Sequence, residues 1–265
     1  MTLPDIAPRP WPEIDARTPG SAIEIAPAGG LYAACKVALD YVVTTALLVP
    51  ALPVIGLCWL VVRLTSPGPG FYTQTRLGLG GRPYKIIKLR SMYHNCELHS
   101  GITWAAKRDA RVFRFGRFLR ATHLDELPQL FNVLLGHMSI VGPRPERPEV
   151  IRAKGLERLV PGYRERLHVR PGVTGLAQVQ LPPDLDVASV RHKVVYDLYY
   201  VQHRDFWLDV RILLATVLKA AGVRPARIRR LFFLPKRDSI AKVFQDRLAL
   251  PDGDVAEGAT IFRVA

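Results

Sequence analysis

Residues 41–62 contain no charged side chain and are built largely of Val, Leu, Ala and Ile. About 20 such residues are enough to cross the hydrocarbon core of a bilayer. Nothing else in the chain restricts its fold so severely, because this segment has to be covered by lipid or by protein. Lys36 and Asp40 precede it and Arg63 ends it. It does not read as a signal peptide: about 40 residues come first, and they carry no basic leading region. A buried core helix is the soluble alternative, against which stand the length and the composition. Pro50 and Pro53 lie near the middle. Each removes a backbone donor and disfavours helix at the preceding residue, and in hydrocarbon the freed carbonyls need new partners. A helix–break–helix hairpin therefore competes with a straight span. The basic bulk of the chain follows the segment and is expected on the cytoplasmic side. The first thirty residues are too short and mixed to orient the segment.

The 265 residues allow one ordinary domain beside the membrane segment and its tails. A net charge of +14 suits an acidic membrane face or anionic substrates as well as nucleic acid. With a membrane segment present, the first two are the better readings. Cys35, Cys58 and Cys96 are odd in number and widely spaced. They form neither a disulfide framework nor a metal pattern, which points to a reducing compartment. The first thirty residues are rich in Pro, Ala and Gly and read as a mobile tail. Toward the other end, Arg224, Arg227, Arg229 and Arg230 precede Leu231-Phe232-Phe233-Leu234. That composition suits a surface-lying membrane contact. A tail whose apolar residues cover the domain is the equal alternative.

Between these lies the body. Ser66-Pro67-Gly68-Pro69-Gly70 is a turn cluster leading out of the apolar segment. Phe71-Tyr72-Thr73 and residues 84–89 read as strands joined through Gly78, Gly80 and Gly81. Residues 109–121 read as a helix in which Arg111, Arg114, Arg117 and Arg120 recur every three positions among phenylalanines. Such a helix can lie at the headgroup level. Val141-Gly142-Pro143-Arg144-Pro145 and Arg170-Pro171-Gly172-Val173-Thr174-Gly175 read as rigid turns, the first presenting a single arginine. Two further helices are expected over 187–203 and 206–221.

The chemistry-bearing stretch is Leu124-Asp125-Glu126-Leu127-Pro128-Gln129. A proline in the first helical turn places the two acids at a helix start, where backbone N–H groups favour anions. Arg117 and Arg120 come just before, Arg144 and Arg147 just after. Carboxylates beside arginines suggest a site for phosphate and a divalent metal. An Asp N-cap with a solvated Glu is the bland alternative.

Read in order, the chain shows an apolar segment, S-P-G-P, K-x-R-S-M, F-G-R-F-L-R, L-D-E-L-P-Q-L-x-N-V-L, M-S-I-V-G-P-R-P, R-P-G-V-T-G and a Tyr-rich helix. Over roughly residues 32–222 this resembles the bacterial sugar transferases, the monotopic polyprenyl-phosphate sugar-1-phosphate transferases that prime glycan assembly. The resemblance implies an α+β fold, mostly α: a re-entrant membrane helix hairpin over 32–65 and a small cytosolic catalytic domain over 66–222 with interfacial amphipathic helices. A mobile tail (1–31) and a basic appendage (223–265) flank these. It implies transfer of a sugar phosphate from a UDP-sugar to a polyprenyl (undecaprenyl) phosphate with release of UMP, as the first membrane step of exopolysaccharide or other glycan assembly. The setting is the cytoplasmic face of a bacterial inner membrane. Mg2+ is the implied cofactor. Asp125 maps to the nucleophile and Glu126 to the metal-holding neighbour. Lys88, Arg90 and Arg144 match cationic positions of the family, and Arg120 and Arg170 are further candidates for substrate phosphates. UDP-sugar, polyprenyl phosphate and an anionic lipid bilayer are the expected partners; nucleic acid is not. The oligomeric state is open and a homodimer is admitted.

The chain departs from the usual pattern at Leu89, Ser91, His123, His137 and Leu176. None touches the Asp-Glu pair; His137 and Leu176 bear on fine substrate recognition. Two other classes compete. A membrane-tethered nucleic-acid binder fits the charge but leaves the acids unexplained and lacks a recognition motif. A metal-dependent membrane phosphatase would use the same acids with water as acceptor.

Overall fold

The computed structural model describes residues 30–96, 109–183 and 186–248. The tail expected over 1–31 lies almost wholly outside this range, as does the end of the appendage. The described chain is mostly helical with two small sheets, in line with the α+β expectation.

Helix α1, Leu31–Thr65, contains the whole apolar segment. Its buried residues are Asp40, Thr44, Ala51, Ile55, Cys58 and Val62. Steps of three, four and seven keep them on one narrow stripe along the helix. That stripe packs against the body, while Val42, Val49 and Leu57 face outward. Only 22% of the most apolar eighteen-residue window is buried. A core helix would be mostly covered, whereas the outward face of this one is uncovered among the described residues. The expected break at Pro50 and Pro53 is not formed: both prolines lie inside one continuous helical element. Both are exposed, as are Ala46 and Val49, whose carbonyls they leave unpaired. The lost hydrogen bonds therefore fall away from the packed stripe, which holds the helix together across them.

A hairpin follows. Strand β1 (Phe71–Leu77) pairs antiparallel with β2 (Pro83–Leu89), from Phe71 opposite Leu89 to Leu77 opposite Pro83. The glycine-rich segment between them forms a 3-10 turn, Leu79–Gly81, as expected of a hairpin connection. Helix α2 is Arg114–Thr122 and starts later than the arginine spacing predicted. Asp109 explains the delay. Its carboxylate accepts from the backbone N–H of Arg111 at 3.0 Å and from the Arg111 guanidinium at 2.9 and 2.6 Å. Val112 then bridges to Met92. Arg111 thus belongs to a turn with its own acidic partner, and the helix carries Arg114, Arg117 and Arg120.

Asp125 and Glu126 occupy a 3-10 turn, Leu124–Glu126, ahead of α3 (Gln129–Leu134). Gly136 ends that segment at φ +73°, as expected of a residue past a helix end. The two proline-flanked turns hold strands that sequence reading missed. β3 (Ser139–Val141) runs parallel to β4 (Gly172–Thr174). Between and after them come α4 (Pro148–Ala153), α5 (Leu156–Leu159), a 3-10 turn (Glu165–His168) and α6 (Leu176–Gln180). The two expected helices are present. α7 spans Val187–His203 and starts on an Asp186–Ser189 capping box. α8 spans Phe206–Ala220 and starts on Asp205. The appendage folds back as α9 (Pro225–Leu231) and α10 (Arg237–Leu248). It is anchored by Ile228, Leu234, Ile240 and Phe244, all buried.

Both ends of α1 are tied to this one body. At the N-terminal end, Lys36 Nζ donates to the Val141 carbonyl at 3.0 Å and pairs with Asp209 of α8 at 3.1 Å. Asp40 Oδ1 accepts from Ser139 Oγ at 2.9 Å and from the Ile140 N–H at 3.0 Å. Tyr200 donates to Asp209 at 2.8 Å. At the other end, Arg90 grips Ser66 through its hydroxyl and its carbonyl, each at 2.7 Å.

Candidate active site

The site forms where the acidic turn meets strand β2 and the turn after β3. Asp125 is buried, and its carboxylate makes no hydrogen bond among the described residues. Glu126 is engaged mainly through one oxygen. Lys88 Nζ donates to its Oε1 at 2.6 Å, Arg144 Nη2 donates to the same oxygen at 2.6 Å, and Arg144 Nη1 reaches Oε2 at 3.3 Å.

Each cation is delivered by local architecture. Lys88 sits on β2 opposite Tyr72. The strand is held against α3 by Asn132, whose Oδ1 accepts from the Ile87 N–H at 2.9 Å and whose Nδ2 donates to the Lys85 carbonyl at 2.8 Å. Arg144 stands between two prolines on a turn locked to the R-P-G turn. The Gly142 N–H donates to Thr174 O at 2.9 Å and the Gly172 N–H donates to Pro143 O at 2.8 Å. A Cβ on Gly142 would come within 2.4 Å of the Arg170 carbonyl, so only glycine permits the approach. Arg166 supports the same turn from behind. It donates to the Arg144 carbonyl at 2.7 Å and forms a buried ion pair with Asp197 at 2.7 Å.

The two neighbouring acids are thereby driven apart. Burial raises the Asp125 carboxyl above its ordinary value, opposed by Lys88 and reinforced by the charge of Glu126. Burial also pushes Glu126 upward, but Arg144 and Lys88 outweigh it and hold that carboxyl well below the usual range. Lys88 is lowered, by burial first, with Glu126 opposing. Glu126 raises Arg144. Environments that separate two carboxyls in this way mark an acid–base or nucleophile–ligand pair.

Of the candidate residues, the structure brings together Asp125, Glu126, Lys88 and Arg144. Arg120, in the last turn of α2, is near enough for its charge to favour the Asp125 carboxylate. Arg90 is not turned toward the acids: its guanidinium is spent on Ser66 and on the Pro69 carbonyl at 2.6 Å, over the Phe113 ring. Arg170 is exposed, and only its backbone is woven into the site. Sequence reading missed Asn132, Arg166 with Asp197, and Arg76. Arg76 lies near Arg144 and donates to the Pro145 carbonyl at 3.2 Å. The available signal was polarity in otherwise apolar surroundings, as for Asn132 within Leu130-Phe131-Asn132-Val133.

Comparison with known proteins gives the chain a family. A family model described as bacterial sugar transferase matches residues 31–222. A UDP-glucose:undecaprenyl-phosphate glucose-1-phosphate transferase of Xanthomonas campestris pv. campestris is 43% identical over 169 residues, covering 62% of this chain and 34% of that protein. A protein of the same name from Caulobacter vibrioides is 43% identical over 184 residues, covering 69% of this chain and 68% of its own length. A UDP-N-acetylgalactosamine-undecaprenyl-phosphate N-acetylgalactosaminephosphotransferase of Aeromonas hydrophila is 38% identical over 197 residues, 73% of this chain and 46% of that protein. The chain thus spans less than half the length of the first and the last of these relatives. The match runs unbroken from the apolar helix through the acidic turn to the end of α8: the chain belongs to the bacterial sugar transferase family.

Proposed function

We propose that this chain transfers a sugar-1-phosphate from a UDP-sugar to a polyprenyl phosphate at the cytoplasmic face of a bacterial inner membrane. The product would feed exopolysaccharide or another glycan. The observation that carries the reading is the division of labour in the acidic turn. Glu126 is neutralised by two cations, while Asp125 keeps its oxygens free of hydrogen bonds. A free, desolvated carboxylate is suited to attack phosphorus. Its Oδ forms a bond to the sugar-bearing phosphorus as the bond to UMP breaks, giving an acyl phosphate. An oxygen of the polyprenyl phosphate then attacks the same phosphorus, forms the diphosphate and frees Asp125. Lys88, Arg144 and Arg120 offset the repulsion between the carboxylate and the incoming diphosphate and stabilise the charge on departing UMP.

The donor set fits Mg2+ carried in on the substrate. Among the described residues no group of three or more His, Cys, Asp or Glu side chains could cage a metal. Mg2+ commonly takes one or two carboxylates plus substrate phosphates. Glu126 Oε2 has only the 3.3 Å contact with Arg144 and retains acceptor capacity, so Glu126, with Asp125 beside it, would hold the ion. Bound there, Mg2+ supplies charge neutralisation on the phosphoryl oxygens.

The membrane reading rests on α1. Its two tethered ends, at Lys36 and Ser66, reach one polar body. A straight span would place them on opposite faces of the bilayer, so a helix that stays with the body at one face fits better. The activity is tested with membranes, polyprenyl phosphate and a panel of UDP-sugars. UMP release should depend on the lipid, and sugar label should be trapped on the protein when the lipid is withheld. One UMP per protein accompanies that trapping; continuing UMP release without acceptor would make the chain a hydrolase. Label retained after Asp125→Asn would remove Asp125 from the nucleophile's role.

A further inference from the structure

The appendage after residue 222 lies beyond the segment matched by the family model, and its fold answers the question its composition raised. Ile228 and Leu234 turn inward and are buried, while Leu231 is 61% exposed and Phe233 is 84% exposed. Phe233 also has a φ of +50°, in the left-handed region. That conformation closes α9: the Phe233 N–H donates to the Arg230 carbonyl at 3.4 Å and the Leu234 N–H to the Arg229 carbonyl at 3.0 Å. Glycine is the usual residue at such a position; here the position presents an aromatic ring to the outside. The charge around it is one-sided. No acidic residue lies between Asp209 and Asp238 in sequence. Arg224, Arg227 and Arg230 are exposed and form no ion pair among the described residues. Arg227, Arg230 and Leu231 stand three and four positions apart, which makes them neighbours on the outer surface of α9.

We propose that α9 and the turn carrying Phe233 form an interfacial docking surface for an anionic phospholipid bilayer, separate from α1. Guanidinium groups would meet lipid phosphates while Leu231 and Phe233 enter the acyl boundary. Charge complementarity and the apolar pair together select a lipid surface. Free polyphosphate would use the arginines alone, and a nucleic acid could stack a base on Phe233 but gain nothing from the exposed aliphatic Leu231. The surface is joined to the membrane helix through α8. α9 packs on α8, α8 meets α1 through Asp209 and Lys36, and the outer residues Trp207 and Val217 of α8 are also exposed.

The inference rests on the bilayer reading of α1, and the two can fail separately. The full chain, with Cys35, Cys58 and Cys96 changed to Ala and a fluorophore on Leu231→Cys, is placed in nanodiscs of phosphatidylcholine with or without phosphatidylglycerol. Release of the whole chain from the discs on gel filtration would refute the α1 reading. With the chain retained, spin-labelled lipid should quench the reporter more strongly in anionic discs. Arg224→Gln, Arg227→Gln and Arg230→Gln together should remove that difference. A reporter reached by aqueous iodide and untouched by spin-labelled lipid in both discs overturns the proposal, as does a response to oligonucleotide in place of lipid. Phe233→Gly gives a second, opposed readout. Relief of the left-handed strain should raise the melting temperature while quenching falls. A lower melting temperature with unchanged quenching would make Phe233 a packing residue and sink the idea.

Discussion

Asp125 and Glu126 are adjacent in the chain, yet their surroundings push their protonation in opposite directions, and this sets their expected behaviour on substitution. For Asp125 the folded carboxyl lies above its ordinary value because of burial. Such a group adds stability below its unfolded pKa and loses it as pH rises through the folded one. At neutral pH the buried charge is therefore a burden. Asp125→Asn should melt at a higher temperature than the wild type at pH 7 while losing all transfer; a lower melting temperature would contradict the desolvation argument. The same shift places the acid limb of kcat/KM above that of an ordinary Asp. Lys88→Met, which removes the cation opposing the shift, should move that limb further up in a pH–rate profile. Glu126 behaves in reverse. Held well below the usual range, it contributes stability above its unfolded pKa that is lost only as pH falls through the depressed folded value. Glu126→Gln leaves Lys88 and Arg144 facing each other. Loss of about 2 kcal/mol is expected in denaturant melts, less than for a fully buried pair because Arg144 is 38% exposed.

At the scale of elements, the site depends on close backbone approaches. Gly116, in the first turn of α2, is one of them: a Cβ there would lie 2.0 Å from the Ser91 carbonyl. Gly116→Ala should displace α2 from the end of β2 and carry Arg120 away from Asp125. Activity should fall at least as far as in Arg120→Ala, with a matching loss of protection in hydrogen exchange along α2; unchanged exchange would deny the contact its positioning role. Such contacts also mark what a sequence does and does not disclose. The acidic turn, Arg144 and the two long helices were legible because each is a local signal: an acid pair before a proline, an arginine between prolines, an uninterrupted helical stretch; Lys88 was legible only through the motif it shares with the family. Arg90 was assigned to substrate because it matches a cationic position of the family motif, but its partner Ser66 lies 24 positions away, in a turn whose geometry composition does not give. β3 and β4 have three residues each, too few to display a strand period, and they exist only because they pair with one another. The start of α2 was misplaced because one side chain, Asp109, draws Arg111 into a turn. The break expected at Pro50 and Pro53 did not form because a buried stripe on the opposite side of α1 carries the packing.

At the scale of the whole molecule, the helix for lipid and the body for chemistry are joined at both ends of α1. The N-terminal joint is a buried cluster in which Lys36 bridges Asp40, Asp209 and the Val141 carbonyl. Val141 lies three residues before Arg144, so seating the helix and aiming the arginine share one strand. Asp209→Leu should loosen this joint and let the N-terminus cross the membrane in part of the population. A reporter cysteine introduced near Ala22 should then become reactive from outside spheroplasts. Charge rules for insertion give a residue so far downstream no such influence, and an unlabelled reporter would show the joint to be dispensable for topology. That joint has a consequence in time. Tyr32, at the start of α1, donates to Asp209 at 3.2 Å across 177 positions of chain. At ribosomal speeds of about 5–20 residues per second, roughly 9–35 s separate the emergence of the two partners. Throughout that interval the apolar helix meets the insertion machinery with its latch unmade. Its orientation stays provisional until α8 has been synthesised, and a chain truncated before α8 keeps the contacts of Asp40 with Ser139 and of Ser66 with Arg90 but lacks the Asp209 latch.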